Sequence, residues 1–130
     1  MKSIQVILVD PIEKTIQGLE IPSGLEGLRS ALGCRLIEVV EVGENIDIIC
    51  DEEGLLSNDA KISLLNHPDF YSSFPIAGKY LFCTHNHEGD TESITFDQVK
   101  EFTVIFFDNP AIHQKIQEDI LNAPIKITFN

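Results

Sequence analysis

The run Cys83-Thr84-His85-Asn86-His87-Glu88-Gly89-Asp90 is where reactive side chains crowd together. Two of the four histidines and one of the three cysteines fall inside it, followed by acids and a glycine. On a strand, alternate residues share a face, so Cys83, His85 and His87 would point the same way. A rise of ~3.3 Å per residue separates Cys83 from His87 by about 13 Å, too far for one ion. His85 and His87 are near enough to chelate together, and Glu92 follows at a spacing that would complete a divalent-metal site. The competing reading is a polar hairpin tip whose histidines are solvated.

Known templates fit poorly. Against the cupin metal signature, Gly78 precedes His85 by one residue too many, Val99 stands where a closing glycine belongs, and the second histidine motif is missing. Gly24, Gly27 and Gly33 flank a helix without a G-x-G-x-x-G pattern or Walker lysine, so no cofactor is expected. Cys34, Cys50 and Cys83 lack an elbow or oxyanion glycine for nucleophilic work. Glu52-Glu53 and Glu118-Asp119 are adjacent and read as solvated faces. His113, beside Ile112, reads as a surface or interface residue. These failures argue against an enzyme.

The elements that must position these residues read as α+β: a mostly antiparallel sheet with two or three short helices packed against it. Ser3–Val9 and Lys14–Ile21 form a hairpin broken at Asp10-Pro11. Ser23 and Glu26 spell a capping box for a helix through Leu25, Leu28 and Leu32, stopped by Gly33. Arg35–Val42 and Asn45–Cys50 are the clearest strand pair, joined at Gly43-Glu44-Asn45. Residues 55–75 read as a long, partly helical loop, because Asn58, Asp59, Asn66-His67-Pro68 and Phe74-Pro75 punctuate it. Gly78–Thr84 is a strand. Thr95-x-x-Gln98 opens a helix through Val99, Phe102 and Phe106, with 103–107 apolar enough to be a strand instead. Residues 109–130 add a C-terminal helix, with its face at Ile112, Ile116, Ile120 and Leu121, and then a strand, Ile125–Phe129. One domain over 1–130 is expected.

The chain has 130 residues, 21 acids against nine Lys and Arg, and a net charge of −12. That length buries roughly two thirds of the unfolded surface. The charge argues against direct nucleic-acid binding, where phosphate neutralisation dominates affinity. It also admits an acidic mimic that occupies a nucleic-acid-binding surface. Three cysteines make no disulfide framework. No stretch nears the ~20 apolar residues of a membrane span. Met1-Lys2-Ser3 runs straight into a strand, so no leader is expected and a reducing cytoplasm is.

Several segments in order carry a resemblance. They are Leu19-Glu20-Ile21-Pro22, Leu25-Glu26-x-Leu28, Ile37-Glu38-Val39-Val40, Ile48-Ile49-Cys50-Asp51-Glu52-Glu53-Gly54, Ile76-Ala77-Gly78-Lys79-Tyr80-Leu81-Phe82 and Ser93-Ile94-Thr95-x-x-Gln98. Over residues 3–107 the chain resembles a family of small domains of unknown function from bacteriophages, plasmids and other mobile elements, sometimes near antirestriction genes. That family usually continues after Glu53-Gly54 through a proline-containing loop to an Asn-Arg pair. Here Leu55-Leu56-Ser57-Asn58-Asp59-Ala60 takes that place, and the tail from Pro110 is additional.

The resemblance implies an accessory protein acting in a bacterial cytoplasm beside host machinery. The resulting expectation is a non-catalytic binding protein that neutralises a host defence component, either a protein or a small nucleotide signal. A nucleotide would need cations and stacking surfaces, for which Arg29, Arg35, Lys79, Lys100, Tyr71 and Tyr80 are the candidates. Val104–Phe107 and the Ile112/Ile116/Ile120 face would supply a homo-oligomer interface, with plain core as the competing reading.

Overall fold

The structure is a computed structural model that describes residues 2–57 and 59–121. Two antiparallel sheets lie face to face, with one helix outside each, which makes the fold α+β. The first sheet runs β2-β1-β7-β4-β3: Thr15–Pro22, Ser3–Asp10, Tyr80–His85, Ile46–Asp51 and Ile37–Gly43. A short strand, β8 (Thr91–Glu92), pairs with the end of β7. The second sheet runs β6-β5-β9: Phe74–Ala77, Ile62–Asn66 and Thr103–Ile105.

β1 reads Ile-Gln-Val-Ile-Leu-Val because both its faces are covered. Ile4, Val6 and Leu8 meet helix α1 (Leu25–Leu32) together with Leu28, Leu32, Ile49, Leu81 and Cys83. Ile7 and Val9 turn the other way, joining Ile48, Tyr80 and Phe82 against Leu65 and Ile76 of the second sheet. β7 is the central strand, paired with β1 on one side and β4 on the other.

The hairpins and the left-handed stop of α1 at Gly33 stand where the sequence puts them. The Ser23–Glu26 box does not form: Gly24 is the N-cap, and no side chain caps the helix. Starting one residue later lets Gly27 press on the end of β2, where a Cβ would stand 1.9 Å from the Pro22 carbonyl oxygen. At Thr95-x-x-Gln98 the reciprocal bonds are made. Gln98 Oε1 accepts the Thr95 N–H at 2.9 Å, and Thr95 Oγ1 accepts the Gln98 N–H at 3.3 Å. They enclose a single 3-10 turn, Asp97–Val99, rather than a helix to Phe106. The strand alternative holds for residues 103–105, since β9 pairs with β5.

Residues 55–75, expected as a long loop, contain β5, the middle strand of the second sheet. Ile62, Ser63 and Leu65 are buried on both faces, so no alternation marks the strand.

The C-terminal helix α2 spans Pro110–Leu121, and Asn109 Oδ1 accepts the Ala111 N–H at its start. Its buried stripe is turned from the expected one. His113 is buried, Ile116 packs on Ala60, Ile62 and Ala77, and Ile112 is exposed. Gln117 Nε2 donates to the carbonyls of Leu55 and Ser57 at 2.7 and 2.8 Å. Val104 and Phe106 pack against the inter-sheet core. The expected strand Ile125–Phe129 lies outside the described residues, as does the Leu121 side chain.

Candidate functional site

The β3–β4 hairpin sets Glu41 opposite Asp47, and β4 sets Asp47 opposite Cys83 on β7. Cross-strand partners share a face, and so do residues two apart, so Glu41, Asp47 and His85 converge. His85 Nδ1 stands 2.7 Å from Asp47 Oδ2, and His85 Nε2 stands 3.6 Å from Glu41 Oε2. The Asp47 side chain is 8% exposed and that of Glu41 63%. Among the described residues this is the group of His, Cys, Asp and Glu donors drawn close enough to share an ion.

His87 and Glu92 do not join it. β7 ends at His85, and the chain turns at Asn86, whose Oδ1 accepts the N–H groups of Glu88 and Asp90. That turn breaks the alternation and leaves His87 exposed. Glu92 pairs with Thr84, one place from His85, so it occupies the opposite face. There it accepts from Asn86 Nδ2 and faces Lys2 Nζ. Glu41 and Asp47 are not among the residues the sequence picks out by motif. A signal for one exists: Asp47 is a charged residue inside an apolar strand, Ile46-Asp47-Ile48-Ile49-Cys50, and buried carboxylates are rarely kept without a partner.

Among the described residues, no one cavity is lined by more than one of the six residues expected at a nucleotide pocket, although Arg35 bonds Glu53 at the rim of the cavity that Lys79 lines. Arg35 holds Glu53 through two bonds of 2.9 and 3.0 Å, which keeps the Glu53 carboxyl below its usual range. Arg29 pairs with Glu26 and Lys100 with Asp97. Tyr71 is fully exposed, whereas Tyr80 is fully buried in the inter-sheet core, out of reach of any ligand. Lys79 lines a cavity of about 400 Å³ shared with Lys61, Asp51, Glu53 and Asp59, where acids outnumber the bases. Burial pushes the Cys50 and Cys83 thiols up to about 12, which keeps both inert as nucleophiles.

A second feature is the outer side of β3. Among the described residues this strand ends its sheet, and β4 is its one strand partner. An edge strand turns every second N–H and C=O outward. Grooves flank it on both faces. Leu25, Leu28, Ile37 and Val39 line one of about 450 Å³, with Val39 56% exposed. Val40, Val42, Phe70, Tyr71 and Phe74 line another of about 350 Å³. Glu41 and Asp69 line the second groove and Glu38 the cavity next to it at Val40 and Phe74, while the first groove carries Asp90 and Lys2.

A small two-sheet α+β domain is the class this architecture defines. Residues 1–106 match DUF3846, a domain of unknown function, and the chain belongs to that family. No curated protein and no solved structure matches it. Helix α2 begins beyond the matched region. No helix among the described residues is long and apolar enough to cross a membrane.

Proposed function

We propose that the chain is a non-catalytic binding protein whose β3 edge takes up an extended, basic segment of a partner protein. The observation that carries this reading is β3 itself: unpaired on one side among the described residues, with an apolar groove on each face and acids along the strand and around the second groove. An added strand would take its affinity from main-chain hydrogen bonds and its specificity from side chains seated alternately in the two grooves. Glu38, Glu41 and Asp69, within a net charge of −12, select Lys and Arg between the apolar anchors.

The same acids disfavour self-association here. Two β3 strands paired antiparallel about the Val39–Val40 bond would set Glu38 against Glu41, a like-charge pair. The edge therefore favours a different chain. The scatter of Arg29, Arg35, Tyr71, Lys79, Tyr80 and Lys100 supports a protein target over a small nucleotide signal. The setting implied by the resemblance is a phage or other mobile element, whose accessory protein would neutralise a host defence protein in the bacterial cytoplasm.

The test is selection from an mRNA-displayed library of extended peptides, followed by amide exchange on the selected complex. Enriched peptides should alternate Lys or Arg with Val, Ile or Phe, protect the β3 amides and weaken with salt. The double variant Glu38→Lys, Glu41→Lys should invert the charge preference. Peptides that bind this variant as well as the parent, or leave β3 unprotected, count against the reading.

A further inference from the structure

We infer that His85 Nε2 and Glu41 form a binding site for a borderline divalent cation of the zinc type, with Asp47 as the positioning residue behind the imidazole. A carboxylate as buried in mid-sheet as Asp47 needs a partner, and His85 Nδ1 supplies one at 2.7 Å. With Nδ1–H donated to Asp47, the lone pair of the neutral ring lies on Nε2. Carboxylate, imidazole and metal in series is the arrangement by which proteins fix the tautomer of a ligating histidine.

The far side of the ring agrees. Nε2 and Glu41 Oε2 are 3.6 Å apart, too long for a hydrogen bond. Two ligand atoms bound at ~2.0–2.2 Å to one ion lie roughly 3–3.5 Å from each other. The exposed Glu41 side chain has to move by only a few tenths of an ångström to satisfy that separation. Asp47 does not ligate the ion, since its Oδ2 accepts the Nδ1–H on the other side of the ring.

The donor set names the ion. One imidazole nitrogen and one carboxylate suit zinc, nickel or cobalt, whereas calcium and magnesium take oxygen ligands. Two protein ligands leave two or more positions for water or for a donor from another molecule. A register shift at Glu41/Gly43 in β3 places this opening where the ladder is already interrupted. The rival arrangement is an imidazolium held between two carboxylates, with a proton where the metal would be.

Chelator-stripped full chain is titrated with Zn²⁺, Mn²⁺ and Ca²⁺ by equilibrium dialysis with elemental analysis, while the His85 ring resonances are followed by NMR. One Zn²⁺ per chain is expected, with Ca²⁺ at least tenfold weaker and the shift confined to the His85 ring. Glu41→Gln, at an exposed position, should lower affinity at least tenfold without disturbing the fold, and Asp47→Asn by about 10–100-fold. His87→Ala should stay within twofold. Loss of uptake in His87→Ala, full retention in Glu41→Gln, or His85 resonances unmoved by ~1 mM Zn²⁺ would each overturn the site and leave the imidazolium. Glu41 also stands on the β3 edge, so peptide binding is read separately on the metal-free chain, and Asp47→Asn, away from that edge, tells the two readings apart.

Discussion

Nδ1 of His113 accepts the amide hydrogen of Ile62 at 2.9 Å, tying a helix beyond the family-matched region to the first residue of β5. The same ring approaches the Phe107 carbonyl through Nε2 at 3.1 Å, so it is a neutral tautomer donating there and accepting from Ile62. α2 is thereby bonded to the second sheet rather than merely laid on it.

His113→Ala should cost about 2–3 kcal/mol, because a buried N–H loses its acceptor and an aromatic contact with Phe107 disappears. Urea unfolding gives the total, and hydrogen exchange at Ile62 localises it. A loss below ~0.5 kcal/mol would mean that the His113 bond contributes nothing to holding β5.

Gly27→Ala should be among the most damaging single-methyl additions, on the order of 2–4 kcal/mol. The new carbon would meet the Pro22 backbone, which cannot swing aside as a side chain can. Gly33→Ala provides the control. Nothing lies within 4 Å there, so its cost is only the strain of a left-handed φ of +66°, about 1 kcal/mol. Thermal melts that rank the two in reverse would contradict the close approach of α1 to β2.

Alkali should unfold the protein cooperatively. Folding raises the Cys83 thiol from 9.0 to about 12 and also raises Cys50 and the Tyr80 hydroxyl, in each case chiefly by burial. A raised acid favours the native state fully below its unfolded value, and that contribution is lost as pH climbs toward the folded one. Urea midpoints should be flat up to pH ~9 and then fall, with Cys83 contributing a slope of up to ~1.4 kcal/mol per pH unit. Cys83→Ala should flatten part of the descent. An unchanged midpoint at pH 11 would show that these groups ionise freely in the fold.

Thr95→Ala and Gln98→Ala should each cost about 1 kcal/mol, and the double variant close to their sum, because each side chain bonds the other residue's backbone N–H, which survives that residue's own substitution. Losses below ~0.3 kcal/mol in both single variants would mean that the reciprocal pair does not form in solution.

Much of this architecture is legible in the residues. β1–β2 and β3–β4 are local hairpins whose turns and apolar runs lie next to each other, so short-range patterns define them. β5 escapes because its support is distant: β9 lies some forty residues later, and Ser63 interrupts the apolar run on a buried face. α2 is legible but its orientation is not, since hydrophobicity points to Ile112 while the buried stripe includes the polar His113. His85 stands out in the sequence as a residue with chemistry. Its companions do not, because the turn at Asn86 removes the adjacent His87 and the sheet brings Glu41 and Asp47 instead. Tyr80 shows the same limit, because nothing local distinguishes a tyrosine at the surface from one in a core.

The position of β7 also governs how the molecule is made. The two early hairpins can form as soon as they leave the ribosome, but no strand pairing joins them until Tyr80–His85 arrives to bridge them. Until then the β1 and β4 edges that β7 will join stay unpaired, and Ile7, Val9 and Ile48 lack Tyr80 and Phe82 beside them. Assembly is then a late, long-range zippering, slower than that of a helical chain of equal length. Chains interrupted before residue 80 should accumulate as insoluble or proteolysed fragments.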